Sequence, residues 1–562
     1  MRPGRGALIF PTRSECMKGG EAVVETLITH GVDTAFTVPG ESFLYALEGM
    51  RKNADKIRVV SVRQEGGGAF MAEAYGKLTG RPAAVFVSRG PGSSNAAIGI
   101  HTAMQDSTPM VVFVGHVNAK SMGRESFQEI NQHAFFGEVA KAVLSPKNTD
   151  DIPHATAEAI RLSTDGRPGP IVVQIPRDVS SMETHTAIPE PTPRTPHTPD
   201  LKLIDQAAKI IDAAEAPLII AGEMISNQNA STELTDFAAT GSLPVMSAYR
   251  RLDVMANSHV CYAGHLEINR FESQLAAIEA CDLVVAIGSR LDGITSADET
   301  MLCVGKPLVH IYPDSNILAR FESDVSIDSD MKPALDALRK KLAPPSAARI
   351  ARTQELHNSF LTFSQPGNFT AYGAVDLARV IDTMDRIIDQ EATIVTDAGS
   401  FSRWIHRYRR FERPHTKAGP MSGAMGYSVP GAVGAKLARP DHEVIAFVGD
   451  GGFMMTGQEL VTAVEQKLPI RIIVCDNAVH GSILAGQDKT FGPGNEIATV
   501  LQSPDFAAIA IAYGAEAYTV TRSDDFEVAF QNARAAKGPS LIHLLTDRRD
   551  IAPYGESREA VH

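Results

Sequence analysis

Val444-Ile445-Ala446-Phe447-Val448-Gly449-Asp450-Gly451-Gly452, with Ile470-Arg471-Ile472-Ile473-Val474-Cys475-Asp476-Asn477 downstream of it, decides the fold. The first stretch is an uninterrupted apolar run that ends in glycines. A helical pattern follows from Gln458 to Gln466, then Pro469 and a second apolar run. This reads as strand, turn, helix, strand, and runs apolar at every position are those of parallel strands covered on both faces. Twenty-five residues lie between Gly451 and Asn477, about one helix plus one strand. Both side chains therefore emerge at the carboxyl ends of neighbouring strands, the edge at which open α/β sheets bind ligands.

The same alternation extends along the chain. Short runs at Ala83 to Val87, Met110 to Val114, Leu218 to Ala221 and Leu283 to Ile287 are separated by helical patterns. The first and last regions resemble each other: Phe86 lies 23 residues before Pro109, and Phe447 lies 22 before Pro469. Two related halves flanking a middle unit are expected. Pro189, Pro191, Pro193, Pro196 and Pro199 mark an extended linker, since proline lacks a backbone donor and disfavours helix and strand. Ala343-Pro344-Pro345-Ser346 to Pro366-Gly367 marks a second boundary, with a polar, partly helical stretch inside it. The expected fold class is α/β, with three doubly wound parallel-sheet domains.

The 562 residues are long enough for several cores, which agrees with that division. Lys plus Arg total 53 against 66 Asp plus Glu, a net charge of −13. General binding to nucleic acid or to an anionic membrane surface is disfavoured. Five scattered cysteines form no CxxC pair, which argues against a disulfide framework or a zinc site. The apolar stretch Ala7 to Phe10 stops at Pro11, and no segment approaches the ~20 apolar residues of a membrane span. A cytoplasmic protein is expected.

Asp450 and Asn477 offer hard oxygen ligands, and a backbone carbonyl shortly after Asn477 offers a third. Mg²⁺ takes few protein oxygens and completes its octahedron with phosphate and water. Glycines at 449, 451 and 452 let backbone amides approach a phosphate at a helix start. Gly-Asp-Gly alone is commonly only a turn; the ordered strand, turn, helix, strand and Asn are more specific.

At this point the sequence resembles the thiamine-diphosphate-dependent enzymes, within them the group of acetolactate synthase, pyruvate oxidase and 2-oxo acid decarboxylases. That family's metal motif ends in Asn-Asn; here the first Asn is Asp476 and the ligating position is Asn477. Further matches are Val38-Pro39-Gly40-Glu41, Arg63-Gln64-Glu65, Ser88-Arg89-Gly90-Pro91-Gly92-Ser93-Ser94-Asn95, Phe127-Gln128-Glu129 and Gly423-Ala424-Met425-Gly426-Tyr427. The resemblance runs from Gly19 to about Thr546. It implies an N-terminal extension (1–16), a pyrimidine-binding domain (17–185), the proline-rich linker (186–200), a middle domain (201–343), a second linker (344–368), a diphosphate- and Mg-binding domain (369–548) and a tail (549–562).

The resemblance also implies roles. Thiamine diphosphate with Mg²⁺ would contact Pro39, Gly40, Glu65, Gly423, Met425, Gly449, Asp450, Gly451, Gly452, Asn477, Val479, Gly481 and Ser482. Asp450, Asn477 and the Val479 carbonyl would bind the metal. Glu65 would hydrogen-bond the pyrimidine nitrogen so that the exocyclic nitrogen deprotonates the thiazolium carbon; taken alone it reads more often as a helix-capping acid. Met425 would prop the two cofactor rings together, although a methionine also fills irregular cores. Phe127, Gln128 and Lys141 would line the approach to the thiazolium, with Lys141 otherwise a solvated lysine. His116 is either structural or a proton shuttle, and it is carried as catalytic beside Glu65 and Gln128.

Two departures stand out. The Gln-Trp-Glu segment of acetolactate synthases is met by Ala485-Gly486-Gln487, which widens the acceptor pocket. FAD in the middle domain is doubtful, because Ala221-Gly222-Glu223 stands where a glycine-richer turn is expected. Arg290 would bind a nucleotide phosphate or pair with an acid. The implied function is decarboxylation of a 2-oxo acid with transfer of the acyl fragment; the alternatives are an acyl-CoA lyase or decarboxylase and a catalytically silent homologue. A homodimer with shared active sites, doubling to a tetramer, is implied.

Overall fold

The computed structural model describes residues 16–553 apart from Glu299, Met301, Cys303, Val304 and Asn368. The expectations placed on the extension before Cys16 and on Cys303 lie outside the described residues. Three six-stranded sheets follow one another along the chain, and every pairing within them is parallel.

The first sheet holds β1 (Thr34–Thr37), β2 (Arg58–Ser61), β3 (Ala83–Val87), β4 (Met110–His116), β5 (Ala142–Leu144) and β6 (Pro170–Pro176). The middle sheet holds β7 (Pro217–Ala221), β8 (Val245–Ser247), β9 (Tyr262–His265), β10 (Leu283–Ile287), β11 (Leu308–Tyr312) and β12 (Val325–Asp328). The last holds β13 (Thr393–Thr396), β14 (Lys417–Ala418), β15 (Val444–Gly449), β16 (Ile470–Asp476), β17 (Glu516–Val520) and β18 (Ser540–Leu545).

The first sheet runs in the order β2-β1-β3-β4-β6-β5 and the last in the order β14-β13-β15-β16-β18-β17. Renumbered within each sheet these are one topology, which accounts for the matched spacing of the two halves. The middle sheet differs, running β9-β8-β7-β10-β11-β12, the order of dinucleotide-binding sheets.

Helices α1 (Glu65–Thr79), α2 (Gly90–Asp106) and α3 (Ile152–Thr164) cover the first sheet; α4 (Ala347–Phe363) follows the middle one. The last domain carries α5 (Ser428–Ala438), α6 (Asp450–Thr456), α7 (Glu459–Glu465) and α8 (Gly481–Phe491). The first and last domains share one core: Phe36, Phe70 and Val112 belong to the same apolar cluster as Tyr427, Val433 and Val448. Helices α1 and α5 meet so closely that a Cβ on Gly434 would lie 2.1 Å from the Met71 carbonyl oxygen. A buried ionic cluster seals the junction. Lys77 donates to Asp106 at 2.8 Å, Arg251 reaches the same carboxylate at 3.2 Å, and the Tyr427 hydroxyl donates to Glu73.

The proline-rich stretch is extended and held by Arg194, whose two guanidinium nitrogens donate to Asp330 at 2.8 and 2.7 Å. Most of the second expected linker is α4, the helical stretch expected inside it. Arg349 donates from that helix to the Ala214 carbonyl at 2.6 Å, and His357 pairs with the Tyr262 carbonyl at 2.8 Å. Its polar residues are engaged with middle-domain backbone, so their polarity does not signal a solvated connector. Among the described residues no helix is long and apolar enough to cross a membrane.

Candidate active site

The order in which strands are added to the last sheet reverses between β13 and β15, so the crevice outside those strand ends is the natural ligand site. A cleft of about 240 Å³ lies there. Gly423, Met425, Gly449, Asp450, Gly451, Gly452, Asn477, Val479, Gly481 and Ser482 all line it. The helix expected from Gln458 to Gln466 is α7, and a further short helix, α6, precedes it and begins at Asp450 itself. The glycine pair in its first turn has low helix propensity and concealed that start from the sequence.

Asp450 is buried, and burial pushes its carboxyl up from the ordinary range, reinforced by the charge of Asp476. Ser503 bridges the two acids, its hydroxyl 2.7 Å from Asp476 Oδ1 and 3.3 Å from Asp450 Oδ2. Burial also opposes ionisation of Asp476, but donation from His543, Ser503 and the Ala478 amide outweighs it and holds the group below the usual range. Asp450 lines the cleft, and Asp476 stands behind it. Among the described residues no cluster of three His, Cys, Asp or Glu side chains could hold a metal. A metal here would rest on one carboxylate, the Asn477 amide and a backbone oxygen, the hard and sparse donor set that suits Mg²⁺ with phosphate and water.

The loop carrying Met425 is held from below. Asp397, fully buried just past β13, accepts the backbone N–H of Ala398 at 2.7 Å, Gly426 at 2.9 Å and Ser428 at 2.9 Å. Gly426 adopts φ +89°, a conformation that a side chain would strain. The sequence reading missed Asp397. It also missed Ala398 to Phe401 and His480, which line the cleft. The Thr-Asp-Ala-Gly turn after the apolar run ending at Thr396 was the available signal. The expected tail enters as well: Asp550 lines the cleft and accepts the amides of Tyr372 and Gly373 at 3.0 and 3.1 Å.

Pro39, Gly40, Glu65, His116 and Gln128 are not in this cleft, whose described lining contains no residue of the first domain. They gather at the equivalent edge of the first sheet. A Cβ on Gly40, after β1, would lie 3.1 Å from Ser88 Cβ, after β3. Glu65 is half-buried at the first position of α1 and accepts from Asn95 Nδ2 at 2.8 Å. The cap of that helix is Gln64, which accepts the Gly67 amide at 2.9 Å, leaving Glu65 free of the capping role. Gln128 stands at φ +62° on an exposed loop, with its carbonyl accepting the Gly90 amide at 2.8 Å. Its neighbour Phe127 is 77% exposed. His116 is buried and donates from Nε2 to the Ile130 carbonyl at 3.1 Å, a structural bond, while Nδ1 has no partner among the described residues.

Lys141 does not line an approach to a cofactor. Its ammonium donates to the carbonyls of Leu162, Asp165 and Arg167 at 2.6–2.8 Å and so satisfies the end of α3. Gln487 faces its own loop, exchanging bonds with the Ile497 backbone at 3.1 and 3.2 Å. In the middle domain the switch point between β7 and β10 is closed. A Cβ on Gly222 would lie 2.4 Å from Ser289 Cα, and buried Glu223 accepts the Tyr312 hydroxyl at 2.9 Å with Arg290 at 3.9 Å. Arg290, by contrast, lines a separate cleft with Asp292 and Gly293 beside this turn.

Fold and cleft together define an α/β protein built to hold a phosphorylated cofactor at a sheet edge. Residues 17–135, 204–338 and 397–544 match the N-terminal TPP binding domain, the central domain and the C-terminal TPP binding domain of thiamine pyrophosphate enzymes. The chain is 31% identical to the acetolactate synthase large subunit of Corynebacterium glutamicum, over 94% of this chain and 86% of that one. It is 27% identical to the acetolactate synthase isozyme 2 large subunit of Escherichia coli, over 96% and 98%. A probable acetolactate synthase large subunit of Methanocaldococcus jannaschii is 28% identical over 96% and 93%. The chain belongs to the thiamine pyrophosphate enzymes, as an acetolactate synthase-like member that acts on carbon–carbon bonds.

Proposed function

We propose that the chain uses Mg²⁺ and thiamine diphosphate to decarboxylate a 2-oxo acid and transfer the acyl fragment to an acceptor. The observation that carries this reading is the convergence of Asp450, Asn477, Val479 and Met425 on one cleft at the switch point. Asp450, Asn477 and the Val479 carbonyl hold the metal, and the amides at the start of α6 receive the diphosphate. Bound thiamine diphosphate supplies an electron sink for the bond that breaks. Glu65 holds or gives the proton at the pyrimidine nitrogen, and Met425 sets the ring geometry.

The acceptor side is read from the sequence: Ala485-Gly486-Gln487 brings no indole where acetolactate synthases carry Gln-Trp-Glu. Acceptors larger than a short 2-oxo acid fit this reading.

A second subunit completes the site. Glu65 lies outside the Asp450 cleft of its own chain, and Ile98, Phe127, Met454 and Ile483 are exposed apolar side chains. A homodimer that buries these surfaces joins Glu65 of one subunit to Asp450 of the other. The test adds thiamine diphosphate and Mg²⁺, screens 2-oxo acids and 2-hydroxyacyl-CoA compounds, and follows carbon dioxide and products by mass spectrometry. Turnover of acyl-CoA compounds alone, or of nothing, overturns the 2-oxo acid reading.

A further inference from the structure

Glu459 belongs to the last domain, yet its carboxylate serves the first. It is fully buried at the start of α7. Oε1 accepts the backbone N–H groups of Arg63 and Gln64, each at 3.0 Å, and Oε2 accepts the Thr462 hydroxyl at 2.7 Å. Those two amides immediately precede Glu65. Helix α1 is pressed onto the same oxygen, since a Cβ on Gly67 would lie 2.7 Å from it. A buried carboxylate persists only with such partners, and these fix where the chain turns into α1.

Asp450 and Glu459 sit on one helical arm. Gly457 and Gln458, between α6 and α7, keep right-handed helical dihedrals of φ −59°, ψ −20° and φ −58°, ψ −21°. At 1.5 Å per residue the arm from Asp450 to Glu459 spans about 14 Å. It starts at the metal-binding turn and ends on the backbone that carries the pyrimidine-side acid.

We infer that Glu459 is a positioning residue: through its two backbone hydrogen bonds it sets the placement of Glu65 and ties it to the Asp450 turn. This rests on the proposed thiamine-diphosphate reading. Because Glu65 lies outside the cleft of its own Asp450, the arm links the diphosphate half of one active site to the pyrimidine half of another.

Three variants separate reach from charge. Glu459→Gln keeps an oxygen at the same reach without charge, Glu459→Asp keeps charge but is one methylene short, and Glu459→Ala keeps neither. Calorimetry of the wild type with thiamine diphosphate and Mg²⁺ first tests the underlying reading on its own. Hydrogen–deuterium exchange of the 61–68 segment then reports the hydrogen bonds whether or not the cofactor binds. The Ala and Asp variants should exchange these amides about tenfold faster, the size of one lost net hydrogen bond, and Gln should stay near wild type. Turnover should fall in the same order while cofactor affinity changes little. Unchanged exchange and turnover in Glu459→Ala overturns the inference. So does a Gln variant as impaired as Ala, or an Asp variant that behaves as wild type.

Discussion

His543 Nε2 donates to Asp476 Oδ2 at 2.9 Å from the neighbouring strand, so the acid that replaces the family's asparagine arrives with its own partner. Ser503 then connects Asp476 to Asp450. The turn at Asp450 is therefore backed by a chain of side chains drawn from β18, β16 and the loop before residue 506.

His543→Ala should destabilise the protein by about 2 kcal/mol, because it leaves a buried carboxylate short of a donor. Asp476→Asn should cost less, and the double variant should cost less than the sum of the singles. Urea unfolding of the four proteins measures this. Strict additivity would show that the pair is not coupled.

Asp450→Ala should abolish binding of the diphosphate with Mg²⁺, since it removes the only carboxylate among the proposed ligands. Calorimetry with cofactor and metal reads the result. Wild-type affinity in the variant would sink the metal assignment.

Burial raises Asp397 to about 6, although the amides of Ser428, Ala398 and Gly426 oppose the shift. A carboxyl raised in the folded state contributes stability in full below its unfolded value, near pH 4, and that contribution is lost as pH rises through about 6. Asp397→Asn cannot titrate. The wild type should lose stability relative to the variant between pH 4 and 6, as read from unfolding midpoints. Parallel pH profiles would contradict the shift.

Lys141→Met should leave turnover and KM unchanged and lower stability by about 2 kcal/mol, because three carbonyls at the end of α3 lose their donor. Denaturant titration beside steady-state kinetics separates the two effects. A change in KM without loss of stability would restore Lys141 to the substrate path.

Glu65→Gln should bind cofactor yet slow proton–deuterium exchange at its thiazolium carbon by about 100-fold, the lower range for a lost general acid or base. Mixed with Asp450→Ala subunits, it should recover activity. Random pairing of equal amounts of two dimeric variants gives at most about a quarter of wild type, because half are heterodimers with one intact site of two. Heterodimers proved by mass spectrometry but inactive would count against the shared site.

The strands were legible because burial on two faces writes itself locally. Ala83–Val87 and Leu283–Ile287 end where their apolar runs end. The glycine turn at 449–452 and the acid and amide at 450 and 477 were legible for a similar reason, since each sits at the end of such a run. Helix α6 was less so, because glycine weakens its pattern.

By itself the sequence determined the α/β class, the two related halves and the strand-end residues of the cleft, because periodicity and turn chemistry are properties of neighbouring residues. Only the tertiary structure decided that Asp397 anchors the Met425 loop, that Lys141 closes a helix, that Glu459 holds the residues before Glu65 and that Glu65 lies outside the Asp450 cleft. Each of these depends on which distant segments meet, and α/β packing brings together residues hundreds of positions apart, where no local pattern records the pairing.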